Sequence, residues 1–299
     1  MKYTLGLDIG GTTIKGGIVT PRGNVIKTVS VPTQAKRGRE YFLKNINRVI
    51  TLLGAHTVSA IGVGCPGALD PYRGIVQTPH NIPLRYFPLR DYLHKKYHRR
   101  VVLDNDANAF TLAEAVFGAG KNYRMVVGLT LGTGVGGGIV INRTIEHGRG
   151  NAGELGHMTI AMNGLRGNDG HIGCLEEYLR GEPMKKLRRK LGLASYSSKD
   201  LRALARQRKR AAIAYWKVFG MYCGVGCASI IRALDPNIIV LGGKISKAFP
   251  YFRCTLLKAI TEHTNVSPPP IHRAKLGDHA GIIGAALLTQ SQKQKIKET

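Results

Sequence analysis

Two glycine-rich turns, each between short runs of β-forming residues, limit what this chain can fold into. They are Gly10-Gly11-Thr12-Thr13, between residues 4–9 and 16–20, and residues 132–138, between residues 125–131 and 138–141. A third run, residues 25–31, follows the first pair after a short turn, which predicts an antiparallel meander. Strands followed by alternating helices and strands, twice along 299 residues, predict two related α/β halves.

Hydrophobic periodicity predicts the remaining elements. The predicted helices span residues 40–53, 89–97, 107–117, 175–191, 199–232 and 281 to about 290. The other predicted strands span residues 60–64, 101–103 and 238–241, and a last strand and turn precede the final helix.

Composition excludes several classes of protein. The chain has 44 Lys and Arg against 18 Asp and Glu, a net charge of +26, and 43% of its residues are hydrophobic. This excludes collagen, coiled coils, disulfide scaffolds and disordered chains, and leaves a basic enzyme or a nucleic-acid binder. Residues 185–210 hold eleven Lys or Arg and one acid, Asp200, so they form either a solvated helix face or a polyanion-binding face.

The N-terminus and the cysteines predict a cytoplasmic protein. The first residues begin like a strand and lack the long apolar stretch of a signal peptide. No uninterrupted apolar run reaches the ~18–20 residues that a membrane span needs, so no membrane partner is expected. The five cysteines are an odd number, which favours reduced thiols over a disulfide framework.

The first glycine-rich turn has the chemistry of a phosphate site. Glycines let backbone N–H groups approach an anion, and Thr12 and Thr13 add hydroxyl donors. Asp8 precedes the turn and would repel a phosphate, unless it holds Mg²⁺ directly or through water. A simple hairpin with a capping aspartate is the alternative.

The second turn contains G-x-G-x-x-G at Gly132, Gly134 and Gly137. A dinucleotide site requires a helix after this motif, and a strand follows here, so we interpret the turn as a second phosphate-gripping hairpin. No G-x-x-x-x-G-K-[ST] motif occurs. Gly242-Gly243, after a buried strand, is a third point of close approach that could admit a purine.

A polar cluster at residues 103–108 lies where a strand meets a helix. An aspartate there can cap the helix, but Asp106 could also be the base that an alcohol nucleophile needs, with Asn105 fixing a neighbouring hydroxyl. Glu154, His157 and Glu176 add the planar polar groups that a sugar demands. Each of these residues alone is weak evidence for a sugar site. A lone histidine, for example, more often has a structural role.

Taken together, these motifs resemble the ROK family of repressors, open reading frames and kinases over nearly the whole chain. The resembling segments are residues 7–12 and 131–138 (phosphate motifs), 64–67 (a Pro-Gly sugar loop), 103–108 (the catalytic motif, with Asp106 as base), 153–157 and 173–176 (the sugar signature), and 240–243 and 278–281 (the nucleotide side).

The resemblance implies an α/β fold, the two-domain actin-like ATPase (ribonuclease H-like) fold of sugar kinases, with a ligand cleft between domains. The domains would be residues 1–104 with 282–299, and residues 105–281. The predicted substrate-binding residues are Gly67, Asn81, Asn105, Asp106, Glu154, His157 and Glu176. The predicted ATP-binding residues are Asp8, Gly10, Gly11, Thr12, Thr13, Lys15, Gly132, Thr133, Gly134, Gly242 and Gly243, with Asp8 also the Mg²⁺ residue.

One departure from the family concerns zinc. The family usually carries C-x-C-G-x-x-G-C, which builds a structural zinc site with the histidine of G-E-x-G-H. Here Gly167 and Asp169 stand where the first two cysteines should be, and only His157 and Cys174 remain. A Cys₃His site cannot form, so no structural zinc is expected. The alternative is a rescued site in which Asp169 and His171 join the two remaining ligands.

The resulting prediction is an ATP-dependent hexokinase that phosphorylates the 6-hydroxyl of a hexose, with glucose favoured. N-acetylglucosamine or N-acetylmannosamine kinase and polyphosphate-dependent glucokinase are alternatives. A DNA-binding, sugar-responsive regulator is disfavoured: Asp8 already lies in the phosphate motif, which leaves no room for a helix-turn-helix before it. The basic residues are also dispersed, with 20 in residues 1–150 and 24 in residues 151–299. The expected partners are hexose, ATP and a second copy of the chain, without specific nucleic acid.

Overall fold

A computed structural model of the chain describes residues 3–78, 81–167 and 170–295, with side chains as far as residue 290. The chain forms two compact units. Unit 1 comprises Met1–Arg124, Gly138–Ala152 and Lys275–Thr299, and unit 2 comprises Met125–Gly137 and Gly153–Ala274. The predicted domain boundaries, between residues 104 and 105 and between residues 281 and 282, stay a prediction.

The bounds of the elements are as follows. The strands are β1 (Thr4–Ile9), β2 (Thr13–Val19), β3 (Val25–Pro32), β4 (Ala60–Cys65), β5 (Ala68–Asp70), β6 (Ile75–Thr78), β7 (Arg100–Asn105), β8 (Met125–Leu131), β9 (Val135–Ile141), β10 (Thr144–Ile145), β11 (Ile238–Gly242) and β12 (Ile271–Arg273). The α-helices are α1 (Arg39–Leu53), α2 (Leu89–Tyr97), α3 (Asp106–Val116), α4 (Leu175–Arg180), α5 (Glu182–Lys190), α6 (Ser198–Arg206), α7 (Arg210–Leu234), α8 (Phe249–His263) and α9 (Ala280–Lys295).

The sheet of unit 1 has the strand order β3-β2-β1-β4-β7. Strands β1, β2 and β3 pair antiparallel, as the meander prediction requires, and β4 and β7 add to them in parallel. Helix α1 buries the apolar face that its periodicity predicts, with Phe42, Ile46 and Ile50 fully covered. The parallel strands β1, β4 and β7 bring their carboxyl ends to one edge of the sheet.

Helix α9 packs against β1, β4 and α3 at positions where only glycine leaves room. A Cβ atom on Gly62 would lie 1.7 Å from the carbonyl oxygen of Ala285, and one on Gly6 would lie 2.0 Å from that of Ile282. Gly284 approaches α3 in the same way. The segment before α9 is held by the fully buried Glu114, whose carboxylate accepts hydrogen bonds from backbone N–H groups of the segments that follow α3 and precede α9, those of Ala119, Lys275 and Leu276.

The second sheet has the strand order β10-β9-β8-β11-β12, with β8, β11 and β12 parallel. Within unit 2, helices α7 and α8 pack through the aromatic rings of Trp216, Phe219 and Phe252. By length and composition α7 could cross a membrane, but half of its most apolar 18-residue stretch is buried within the protein. Its buried residues identify it as a core helix of the unit.

The helical prediction for residues 175–232 was wrong in number, since four helices occupy the predicted two spans. The first span breaks at Gly181, which is extended (φ −78°, ψ −155°) and precedes Pro183 in the first turn of α5. The second breaks before α7, where Arg208 has a φ of 59°. Strands β5, β6 and β10 were not predicted, because runs of two to four residues carry no clear alternation.

Candidate active site

The two glycine-rich turns that are predicted to bind phosphate are called the first phosphate turn (Gly10-Gly11-Thr12-Thr13) and the second phosphate turn (residues 132–138). The first phosphate turn joins β1 to β2 and is anchored to the residue that follows β3. The N–H of Gly10 donates to the carbonyl of Thr13 at 3.0 Å, which closes the turn. Thr33 donates its hydroxyl to the carbonyl of Gly10 at 2.6 Å and its N–H to that of Thr12 at 2.8 Å. Gly11 and Thr12 remain exposed at the tip of the turn.

Asp8 lies beside this turn, against the first residues of α9. A Cβ atom at Gly281 would lie 2.5 Å from the Asp8 carboxylate, so a side chain there would displace that carboxylate. Burial raises the pKa of Asp8 above its ordinary value of 3.8, and the positive charge of Lys15, its cross-strand partner, partly opposes this rise. The N-terminus of a helix also favours a negative charge, so the turn carries a carboxylate in a shielded position.

The β7–α3 junction presents Asp106 in the first turn of a helix. Asn105, and not an aspartate as expected, is the N-cap: its side-chain oxygen accepts from the N–H groups of Ala107 and Asn108. One Asp106 carboxylate oxygen accepts from the N–H of Ala107 at 2.9 Å. Asp106 is partly buried, and the capped turn fixes its backbone.

Gly67 and Cys65 lie next to this junction. The amide of Asn105 donates to the carbonyl of Gly67 at 3.3 Å, and Gly67 has a φ of 93°, which favours glycine. Burial, reinforced by the charge of Asp106, raises the pKa of the Cys65 thiol well above its usual range. The structure thus brings together the predicted residues Gly67, Asn105 and Asp106.

Asn81 is the predicted sugar residue that lies elsewhere in unit 1. Its Cβ atom is 3.4 Å from where a Cβ atom on Gly11 would be, so it borders the first phosphate turn. It is exposed and has a φ of 61°.

Sequence reasoning missed a buried histidine–aspartate hydrogen bond at the same junction. The Nε2 of His147 lies 2.6 Å from a carboxylate oxygen of Asp104, and both residues are buried. The other oxygen of Asp104 accepts from the N–H of Asn105 at 2.7 Å and the amide of Asn108 at 3.0 Å. Asp104 belongs to the predicted polar cluster, but nothing in the sequence around His147 indicates that this histidine pairs with Asp104.

The second phosphate turn, in unit 2, contacts the start of α4. The N–H of Gly132 donates to the carbonyl of Gly134 at 3.0 Å within the turn. A carboxylate oxygen of Glu176 accepts from the N–H of Val135 at 2.6 Å, and the guanidinium of Arg180 donates to the carbonyl of Thr133 at 3.1 Å. Glu176 therefore lies beside the predicted ATP residues of this turn.

Gly243 adds a further close approach in unit 2. It follows β11 with a φ of 77°, and a Cβ atom there would lie 2.3 Å from the carbonyl oxygen of Leu131. Only glycine lets the end of β11 lie this close to the residue before the second phosphate turn. Gly242 is buried at the end of the same strand.

Glu154 precedes a single turn of 3₁₀ helix in unit 2, Leu155–His157, and His157 is its last residue. The Nε2 of His157 lies 3.9 Å from a carboxylate oxygen of Glu154, too long for a hydrogen bond, and both side chains are about one-third exposed. The ring of His171 lies 6.3 Å from that of His157. Both predicted sugar residues are therefore partly exposed on this turn.

The zinc prediction is untested. Within residues 3–78, 81–167 and 170–295, no group of three or more His, Cys, Asp or Glu could hold a metal ion. Asp169, one of the alternative ligands, lies outside the described residues. The expectation of no structural zinc therefore remains a prediction.

Two α/β units, each with a glycine-rich turn that leads into a strand, fit the actin-like ATPase class that the sequence resemblance implies. The sequence profile of the ROK family matches residues 4–292. The chain is 33% identical to the glucokinase of Halalkalibacterium halodurans, covering 99% of this chain and 98% of that protein. It is 35% identical to the N-acetyl-D-glucosamine kinase of Haemophilus influenzae, covering 95% and 98%.

Among solved structures, the chain is similar to a ROK family glucokinase from Streptomyces griseus in complex with glucose and AMPPNP. The TM-score is 0.84 and the identity 31%, covering 96% of this chain and 98% of that one. The chain therefore belongs to the ROK family. The predicted family, the actin-like ATPase fold and the enzyme class, sugar kinase, are confirmed. The ligand cleft between domains and the roles of individual residues stay predictions.

Proposed function

We propose that the chain is an ATP-dependent hexokinase that transfers the γ-phosphate to the 6-hydroxyl of glucose. The observation that carries this proposal is the placement of Asp106 in the capped first turn of α3, beside Gly67 and Asn105. The similarity to two glucokinases, one of them bound to glucose and AMPPNP, supports the choice of sugar and donor.

In the proposed reaction, Asp106 accepts the proton of the sugar's 6-hydroxyl while that oxygen attacks the γ-phosphorus in line. Asn105, Glu154, His157 and Glu176 orient the ring so that a single hydroxyl reaches the base. Backbone N–H groups around Gly11 and in the second phosphate turn stabilise the charge that develops on the phosphate. The Gly242-Gly243 bend admits the purine.

Asp8 is the residue that would hold Mg²⁺, directly or through water. Its carboxylate is a hard oxygen donor beside the first phosphate turn, and Mg²⁺ is commonly held by one or two carboxylates together with substrate phosphates. When bound there, the ion would supply positive charge that offsets the negative charge of the nucleotide phosphates. Asp8 pairs across the strands with Lys15 and lies against Gly281 at the start of α9, so its carboxylate stands beside the turn that would bind the phosphates.

The test is a coupled assay of ADP release with ATP-Mg and a panel of glucose, mannose, N-acetylglucosamine and N-acetylmannosamine. We expect the highest kcat/KM with glucose. Absence of ADP release above background with every sugar would overturn the proposal. Replacing ATP by inorganic polyphosphate in the same assay tests the polyphosphate alternative.

N-acetylglucosamine kinase is the second candidate, favoured by the 35% identity to the Haemophilus influenzae enzyme. The two candidates differ at C2 of the sugar, where the acetamido group needs space and a hydrogen-bond partner. A kcat/KM for N-acetylglucosamine above that for glucose would replace the first candidate by the second. The homodimer, the cytoplasmic location and the absence of a nucleic-acid partner remain predictions; a gel shift at near-physiological salt tests the last.

A further inference from the structure

His147 holds two segments of unit 1 together. Its side chain is buried, with 8% of its surface exposed, and its Nε2–H donates to the Asp104 carboxylate at 2.6 Å. Its ring packs at a tilt against that of Tyr72, with centroids 6.0 Å apart. Its Nδ1 is buried and has no hydrogen-bond partner among the described residues. The bond to Asp104 is thus the polar contact that keeps this imidazole in place.

On the far side of that bond, Asp104 fixes the first turn of α3. The oxygen not used by His147 accepts from the N–H of Asn105 and from the side-chain amide of Asn108. These residues lie on either side of Asp106 in the chain. Within the part of the chain that the structure describes, each hydrogen bond of the Asp104 carboxylate therefore bears on the position of the proposed base or on His147.

The main chain of His147 organises the loop that carries it. Its carbonyl accepts from the N–H groups of Gly150 at 2.7 Å and Ala152 at 3.1 Å. The neighbouring Glu146 accepts from the N–H of Gly148 at 2.8 Å. Residues 146–152 therefore fold around His147, and the imidazole attaches this loop to the end of β7.

We propose that His147 is a positioning residue that acts through Asp104 to hold Asp106 in the orientation that removes the sugar proton. The inference rests on the proposed function. A buried, charge-assisted hydrogen bond is strong and directional, so it can restrict the rotation of the first helical turn. Proton transfer needs such restriction, because small misplacements of a catalytic group are costly in rate.

The test compares His147→Asn with His147→Gln. The glutamine Nε2 is the same number of bonds from Cα as the histidine Nε2, so it can reach Asp104, whereas the asparagine nitrogen is one bond short. We expect His147→Asn to lower kcat by about 10- to 100-fold with little change in the KM for ATP. His147→Gln should restore most of the loss. His94→Gln is the matched control, because His94 is exposed on α2 and its Nδ1 bonds only to the carbonyl of Arg99 among the described residues.

Asp104→Asn and the double variant distinguish positioning from general stabilisation. If His147 acts through Asp104, adding His147→Asn to Asp104→Asn should lower kcat little further. Should His147→Asn fail to fold, Asp104→Asn must by itself reproduce the loss of kcat with the KM for ATP preserved. Thermal denaturation of each variant gives the folded fraction, to which kcat is normalised.

Two results would overturn the inference while the proposed function stands: wild-type kcat per folded molecule in His147→Asn, or equal losses in the asparagine and glutamine variants. Inactivity of the wild-type protein with every hexose would instead defeat the proposed function itself. Failure of the inference is therefore measured on the His147 variants, and failure of the proposed function is measured on the wild-type protein, in the same assay.

Discussion

The carboxylate of Glu176 accepts a hydrogen bond from the backbone N–H of Val135 at 2.6 Å, which joins the first turn of α4 to the second phosphate turn. The approach depends on Gly134, because a Cβ atom there would lie 2.5 Å from the same carboxylate oxygen. A residue predicted to bind sugar therefore also braces a turn predicted to bind ATP.

Glu176→Gln should raise the KM values for both sugar and ATP. The amide replaces a charged acceptor by a neutral one, a difference of about 1 kcal/mol for a hydrogen bond, or roughly fivefold in each KM. Steady-state kinetics with each substrate varied in turn measure the change. Glu177→Gln, in the same helical turn, is the control; equal effects of the two substitutions would contradict the bracing role.

Asp106→Asn should abolish most turnover while sugar binding persists. Asparagine has nearly the same shape but accepts no proton, so kcat should fall by about 10²–10⁴-fold, the usual range for loss of a general base. Isothermal titration with the sugar checks that binding remains, and Asp91→Asn, an exposed change on α2, serves as control. Near-normal turnover of Asp106→Asn would refute the assignment of the base.

Asp8→Asn should be more stable than the wild type at neutral pH. Burial raises the pKa of Asp8 above 3.8, so the folded protein binds this proton more tightly than the unfolded chain does. The wild type therefore loses stability as pH rises through that raised pKa, and asparagine avoids this cost. The Tm difference, measured from about pH 3 to pH 8, should close as pH falls toward 3.8. A gap that widens on acidification would show that the pKa is lowered instead.

Gly62→Ala should destabilise the fold far more than Gly64→Ala, two residues further along the same strand. A methyl group at Gly62 would overlap the backbone of α9, whereas at Gly64 the nearest atom is 3.4 Å away. Overpacking of this kind costs about 1–3 kcal/mol. Urea denaturation of both variants measures the difference, and similar midpoints would mean that α9 shifts freely.

The sequence was sufficient to predict the strands that border the two glycine-rich turns. The strands around them, the polar junction at Asp106 and the apolar face of α1 carry strong local patterns, and the structure has them within a few residues of the predicted bounds. These features depend on neighbours in the chain, which is why a pattern of residues reveals them.

The rest depends on contacts that no local pattern encodes. His147 and Asp104 are 43 positions apart, and only the folded chain brings them together. Asn105 caps α3 where an aspartate was expected, because both residue types serve equally well at an N-cap. The helix breaks at Gly181 and Arg208 lie in a segment whose apolar residues keep helical spacing across both positions. Hydrophobic periodicity alone therefore could not predict either break.

The glycine contacts of α9 have a consequence for biosynthesis. Strands β1 and β4 are made early, yet the helix that covers them is translated about 270 residues after β1. At about 5–20 residues per second, the ribosome needs roughly 15 to 55 seconds to supply it. During that time the apolar surface of the nascent sheet stays uncovered and available to chaperones. A chain that terminates before Ala280 would leave the ribosome with that surface permanently bare.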